Sequence, residues 1–193
     1  MEKIVDARGL SCPQPVILTK KALEELTQGR VVAVVDNSTA LENILKLARS
    51  LAYGVEVEER GNEYRIYIEK SVEGTRQELQ SYEGTVILVK SQYMGTGSEE
   101  LGKVLMKSFF FTLTQMSNPA ETIIFMNSGV VLTTQGSEIL EHLLALEQAG
   151  VEILACGTCL DFYQLKDQLL VGKVSNMYTI LEKISSAPKV ITL

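Results

Sequence analysis

Three thiols are the groups in this sequence best suited to covalent chemistry, and they occupy two different settings. Cys12 lies in LSCPQPVIL (residues 10–18), directly before Pro13 and three residues before Pro15. Cys156 and Cys159 form a C-x-x-C pair in ACGTCL (155–160). The thiolate is the reactive form of cysteine, so the question in each setting is what favours the anion and what keeps the sulfur reachable. Three cysteines are too few and too unevenly spaced for a disulfide framework, and read instead as thiols, metal ligands or packing residues.

The prolines around Cys12 carry positional information. The first residues of an α-helix have no intrahelical partner for their N–H groups, so proline is tolerated there and costly further in. The spacing predicts Cys12 as the N-cap of a helix, with Pro13 at its first position and Pro15 at its third. Both rings fix φ and stiffen that end, and the sulfur then sits over the positive end of the helix, where a thiolate is favoured. The helix dipole supplies ~0.3–1 kcal/mol, under one pKa unit, so a hydrogen bond to sulfur is needed as well. Because the prolines have no N–H, Gln14 is the main free donor of the first turn, and Arg8 is the nearest preceding cation. The bland alternative is a small buried cysteine that happens to precede a helix. A stiff, solvent-facing helix start is a poor place to hide a sulfur.

Cys156 follows the apolar run VEILA (151–155) at its carboxyl end, where open α/β sheets place ligands and chemistry. The C-x-x-C pair admits a disulfide, two metal ligands, a nucleophile with its resolving thiol, or packing. Gly157 and Thr158 are expected to turn the chain, and Cys159 to open a short helix through Leu165. Zinc usually needs four ligands, and the sequence offers this pair, the distant Cys12 and the single His142, so no metal is expected. His142 reads as a surface or boundary residue on the flank of an amphipathic helix. Thioredoxin-type exchange is a sharper rival, but too little chain follows Pro188 for the strands that fold needs beyond its proline. Gly95-x-Gly97 lacks the third glycine of a dinucleotide fingerprint and the Gly-Lys-Ser/Thr of a P-loop, and reads as a strand-to-helix turn.

The elements that must position these thiols follow from hydrophobic periodicity. IVDA (4–7) is a strand candidate, followed by a helix over about 13–27 with Leu18, Ala22, Leu23 and Leu26 on one face. VVAVV (31–35) is an apolar run suited to a central or covered strand. Leu41, Ile44, Leu45, Ala48 and Ala52 mark the next helix, with a capping box at Thr39 and Glu42 and Gly54 as its C-terminal cap. VEVEER and EYRIYIE then alternate around Gly61 and Asn62, a hairpin. This is a βαβαββ two-layer α/β sandwich over residues 1–69. Residues 70–84 carry few large apolar side chains and read as a linker.

From Thr85 the pattern is strand, helix, strand, helix, strand, an open parallel α/β/α domain over 85–193. Its strands are expected at TVILVK (85–90), TIIFM (122–126), VEILA and the terminal KVITL, and its helices near 98–116, 137–149 and 175–185. FFFTL (109–113) has too many large apolar side chains for one helix face; burial in the sheet layer and a subunit interface are the two readings.

Composition restricts the function further. The chain has 193 residues, 46% of them hydrophobic, enough for two small cores. A formal charge of −6, from 18 basic and 24 acidic residues, argues against nucleic acid as the main ligand. No apolar run approaches the ~20 residues of a membrane helix, and MEKIVDARGL lacks the apolar middle of a signal peptide, so a cytoplasmic protein without membrane attachment is expected.

DARGLSCPQP strongly resembles the signature of the TusA/SirA-like sulfur-carrier domains, small βαβαββ units. The resemblance covers about residues 3–69. It implies that Cys12 accepts sulfur as a covalent persulfide, framed by Asp6, Arg8, Gly9, Pro13 and Pro15. It also implies a cysteine desulfurase-like donor, a downstream acceptor protein, and no separate cofactor or metal. Residues 85–193 resemble the DsrE/DsrF-like family through TVILVK, FMNSGVVLT and the cysteine after VEILACG. By that resemblance the reactive cysteine is Cys156, and Cys159 is an addition to the family pattern. In a relay Cys159 would either resolve the chalcogen bound on Cys156 or protect Cys156 from overoxidation, and the interface reading of FFFTL makes this domain a candidate for homo-oligomer formation. The order of the two domains and the ACGTCL segment resemble a fused subgroup associated with selenium metabolism. The expected function is therefore a relay of sulfur or selenium between thiols. The competing expectation is a thiol-based sensor or partner-binding module without transferase activity.

Overall fold

The computed structural model describes residues 2–70 and 84–193. The chain divides into two compact units, Met1–Gln80 and Ser81–Leu193, each built around its own apolar core. Between its two ends, Lys70 and Gly84, the expected linker lies outside the described residues.

In the first unit the order is β1 (Glu2–Asp6), α1 (Gln14–Glu24), β2 (Gly29–Val35), α2 (Ser38–Ser50), β3 (Gly54–Arg60) and β4 (Glu63–Lys70). The sheet runs β1-β2-β4-β3, with β1 parallel to β2 and the β3–β4 hairpin antiparallel. Val31–Val35 are all buried, as befits a strand paired on both edges. Gly61, at φ +63, makes the tight connection between Arg60 and Glu63 that a residue with a Cβ would strain.

Both helices differ in detail from the sequence expectation. The buried stripe of α1 is Pro15, Thr19, Ala22 and Leu23, continued by Leu26, whereas Leu18 is exposed. Thr19 enters the core because its hydroxyl donates to the Pro15 carbonyl at 2.8 Å, which satisfies the polar atom locally. On α2 the N-cap is Asn37 rather than Thr39: the Asn37 side chain accepts from the Ala40 N–H at 2.8 Å, satisfying a first-turn donor. Gly54 opens β3 instead of capping α2, and the left-handed residue after the helix is Ala52, at φ 55.

The second unit runs β5 (Thr85–Val89), α3 (Glu99–Thr114), β6 (Thr122–Phe125), a 3₁₀ segment (Asn127–Thr133), α4 (Leu140–Gln148), β7 (Glu152–Cys156), α5 (Gly157–Phe162), β8 (Lys173–Ser175), α6 (Met177–Ser186) and β9 (Lys189–Thr192). All five strands are parallel, in the order β8-β7-β6-β5-β9. The three phenylalanines of α3 divide their roles. Phe110 is fully buried and stacks on Phe125 of β6 at 6.0 Å between ring centroids, while Phe109 and Phe111 are half-buried, Phe111 against His142. α5 starts at Gly157, with Cys156 as its N-cap, so the expected turn at Gly157–Thr158 is already helix. Gly157 lies against β8, where a Cβ would come within 3.0 Å of Val174. That three-residue strand was not expected from the sequence.

Candidate functional site

Two thiol sites result, one in each unit. In the first, the loop from Ala7 to Pro13 leaves the end of β1 and is held at several points. The Ala7 N–H donates to Val34 O at 2.8 Å, and the Gly9 N–H donates to Asp36 Oδ2 at 2.8 Å. Gly9 is at φ +70, a conformation that suits glycine and brings its N–H to that carboxylate. Arg8 forks onto Asp6 with bonds of 2.9 and 2.6 Å and reaches Glu63 of β4 at 2.9 Å. The guanidinium holds the Asp6 carboxyl down at about 2, and Arg8 is itself raised by Asp6 and Glu63. Arg8 therefore fixes the loop to the sheet and is engaged with carboxylates rather than with sulfur.

Cys12 is exposed at the end of this loop. It borders a cavity of about 390 Å³ whose walls include Gly9, Leu10, Val16, Asn37 and Thr39. The helix starts one residue later than the proline spacing predicts: Pro13 is the N-cap, and Gln14 and Pro15 are its first two residues. The Gln14 N–H turns back to the Ser11 carbonyl at 3.0 Å, so it is not the donor to sulfur. That donor comes from α2: Asn43 Nδ2 points at Cys12 Sγ from 3.8 Å. Sequence reasoning passed over Asn43, although a polar residue beside the apolar stripe of α2, on a helix that packs on α1, was a usable signal.

The second site lies at the carboxyl ends of β6 and β7. Cys156 closes β7 and is buried, 2% exposed, whereas Cys159 on α5 is half-buried. Both are free thiols within hydrogen-bond reach of each other. The Asn127 backbone N–H, at the start of the 3₁₀ segment, donates to Cys159 Sγ at 3.1 Å. Asn127 is left-handed, at φ 49, and its side-chain oxygen accepts from the Tyr163 hydroxyl at 3.0 Å. Burial pushes the Cys159 thiol up, the bond with Cys156 adds to that, and the Asn127 N–H opposes it. The signal for Asn127 was available in FMNSG: asparagine tolerates the left-handed region and marks a turn after a strand. Among the described residues no group of three or more His, Cys, Asp or Glu is placed to hold a metal ion. Among them, too, no helix is long and apolar enough to cross a membrane.

A mixed α/β unit with an exposed cysteine at a helix start, joined to a parallel α/β unit with a dithiol at its strand ends, defines a class of two-part thiol proteins. Comparison with known proteins makes this specific. Residues 3–70 match the family model described as Sulfurtransferase TusA, and residues 86–193 match the DsrE/DsrF-like family. The chain belongs to the DsrE/DsrF-like family and carries a TusA/SirA-like sulfur-carrier domain fused ahead of that domain. A candidate sulfur carrier protein of Methanocaldococcus jannaschii is 47% identical over 70 residues, 35% of this chain and 93% of its own length. A SirA-like protein of Desulfitobacterium hafniense is 36% identical over 37% of this chain and 99% of its own, with a TM-score of 0.35. The ychN protein of E. coli is 19% identical over 56% of this chain and 97% of its own, with a TM-score of 0.41. The fusion of these two families supports a sulfur-relay role.

Proposed function

We propose that the protein is a chalcogen carrier in which Cys12 accepts a sulfane sulfur from a cysteine desulfurase-like donor and passes it on as a persulfide. The Cys12 thiolate attacks the outer sulfur of the donor persulfide; the donor's S–S bond breaks, and the donor cysteine leaves as its thiolate. The observation that carries this reading is the Cys12 sulfur itself, exposed at an open cavity, on a loop clamped by Arg8 and Asp36, with the Asn43 amide directed at it. Gly9, Pro13 and Pro15 shape that presentation, and Asp6 anchors Arg8. The receiving thiols are those of the C-x-x-C pair or of a separate acceptor protein. The order of the two domains resembles that of the YedF type, and on that resemblance the proposal extends to selenium as the carried atom in the cytoplasm, since both elements use the same thiol chemistry.

Intact-mass measurement after incubation with a cysteine desulfurase and cysteine tests this. The wild-type chain gains the mass of one sulfur atom, the Cys12→Ala variant does not gain it at that position, and the Cys159→Ala variant keeps Cys12 loading. A wild-type chain that gains no sulfur on Cys12 overturns the carrier reading.

A further inference from the structure

The C-x-x-C pair is unequal in access. Cys156 ends β7 inside the core, beside Ala155 and Leu160, both fully buried, and exposes 2% of its surface. Cys159 lies further along α5 and is the partly accessible sulfur of the two. Thiol exchange requires one sulfur to approach another along the bond being broken, so access selects the sulfur that meets an incoming persulfide. The Asn127 N–H, 3.1 Å from Cys159 Sγ, adds a fixed donor on that sulfur as charge develops there. Its direction is set by the left-handed backbone of Asn127 and by the Tyr163 hydroxyl on its side chain.

We propose that Cys159 is the thiol of the second unit that takes an incoming sulfane sulfur, and that Cys156 behind it is the resolving thiol that expels the atom as hydrosulfide. This assignment rests on the reading of the chain as a sulfane-sulfur relay, and it reverses the order in which the sequence resemblance ranked the two cysteines. In the first step the Cys159 thiolate attacks the outer sulfur of a persulfide R–S–SH. R–S⁻ departs, and Cys159–S–SH forms. In the second step the Cys156 thiol, losing its proton to solvent, attacks the inner sulfur of that persulfide. The Cys156–Cys159 disulfide forms and HS⁻ leaves. The two cysteine sulfurs lose two electrons and the sulfane sulfur gains the same two, so no external oxidant takes part; a dithiol reductant restores the pair. With a selenium donor the released species is hydroselenide. Because burial pushes the Cys159 thiol up, the first step accelerates as pH rises through and above the ordinary cysteine range.

The test uses the full chain with Cys12→Ser, so that the carrier thiol is silent, and glutathione persulfide as the donor. In this background the expected products are a Cys156–Cys159 disulfide, found by peptide mapping, and released sulfide. Adding Cys156→Ala traps a persulfide on Cys159 and lowers sulfide release by at least on the order of tenfold. Adding Cys159→Ser leaves Cys156 unloaded, with the same loss of release. A chain lacking Cys159 that loads Cys156 at the rate of the Cys12→Ser parent overturns the proposal. A measurement free of folding effects is iodoacetamide labelling of the unaltered chain: Cys159 is alkylated before Cys156, and the reverse order overturns the assignment. Failure of Cys12 to load from a desulfurase would leave all these readouts unchanged, so the two readings fail separately.

Discussion

Asn43 Nδ2 lies 3.8 Å from Cys12 Sγ, so the sulfur on the loop before α1 takes its hydrogen bond from the neighbouring helix α2. The site thus depends on the packing of two helices, and the first-turn amide of α1 is used elsewhere. One hydrogen bond contributes ~0.5–1.5 kcal/mol, which corresponds to about a 2- to 10-fold change in rate. Asn43→Ala is expected to slow sulfur loading of Cys12 by that factor while leaving the fold intact, since the side chain is half-buried beside a cavity. Stopped-time mass measurements of loading check it; an unchanged rate removes Asn43 from the site.

Gly9 offers a test of the loop without touching the sulfur. It sits at φ +70, and a Cβ added there would find nothing within 4 Å, so an alanine meets no steric contact, only the cost of the left-handed backbone. That cost is ~1–2 kcal/mol. Gly9→Ala should therefore accelerate amide exchange in residues 8–12 by roughly 5- to 30-fold, the same energy expressed as an opening constant, and leave exchange in β4 unaltered. Equal protection in both proteins would show that the loop does not need this conformation.

The Asp6–Arg8 pair predicts a pH window. The Asp6 carboxyl is lowered from 3.8 to about 2, chiefly by the Arg8 side-chain bonds. A depressed carboxylate stabilises the folded form above its unfolded value and loses that contribution as pH falls through the folded one. The clamp is therefore intact through the whole neutral and mildly acidic range, and any change in Cys12 loading between about pH 5 and 8, a span of ordinary assay conditions, has another origin. An NMR titration of the Asp6 carboxyl checks this: its midpoint lies near 2 in the wild type and moves back towards 3.8 in Arg8→Ala. An Asp6 that titrates normally beside an intact Arg8 would contradict the geometry.

Much of this architecture was legible because burial and period agree. VVAVV could be read as a central strand, since a strand paired on both edges and covered needs no polar alternation, and the structure buries all five residues. The alternation around Gly61 and Asn62 likewise marked the β3–β4 hairpin. The register of α1 was not legible from its prolines, because no position from the N-cap through the third residue has an intrahelical N–H bond for proline to remove, so a shift by one residue costs no hydrogen bond. The partners of the sulfurs were hidden for a different reason. Asn43 reaches Cys12, and Asn127 reaches Cys159, only through long-range packing, 31 and 32 residues apart in sequence. The inequality of Cys156 and Cys159 has the same origin, for the core covers the end of β7 and leaves α5 partly open.

Gly129 tests whether the 3₁₀ segment holds the dithiol site in place. A Cβ at this position would lie 2.5 Å from the Val89 carbonyl oxygen and 3.1 Å from its carbon, contacts with backbone that no rotamer change can relieve. Overpacking of this kind costs ~1–3 kcal/mol or more, because the segment must lift away from the end of β5. Asn127 begins that segment two residues earlier, so the lift draws its N–H from Cys159. Gly129→Ala is thus expected to lower the thermal unfolding midpoint and to change the alkylation rate of Cys159 together. Gly136→Ala is the control: its φ of +89 strains alanine, but nothing lies within 4 Å of the added carbon. It should lower stability by only ~1–2 kcal/mol, with Cys159 reactivity unmoved. If Gly129→Ala proves as stable as wild type and labels at the same rate, the close approach of the 3₁₀ segment to β5 does not position the Cys159 donor.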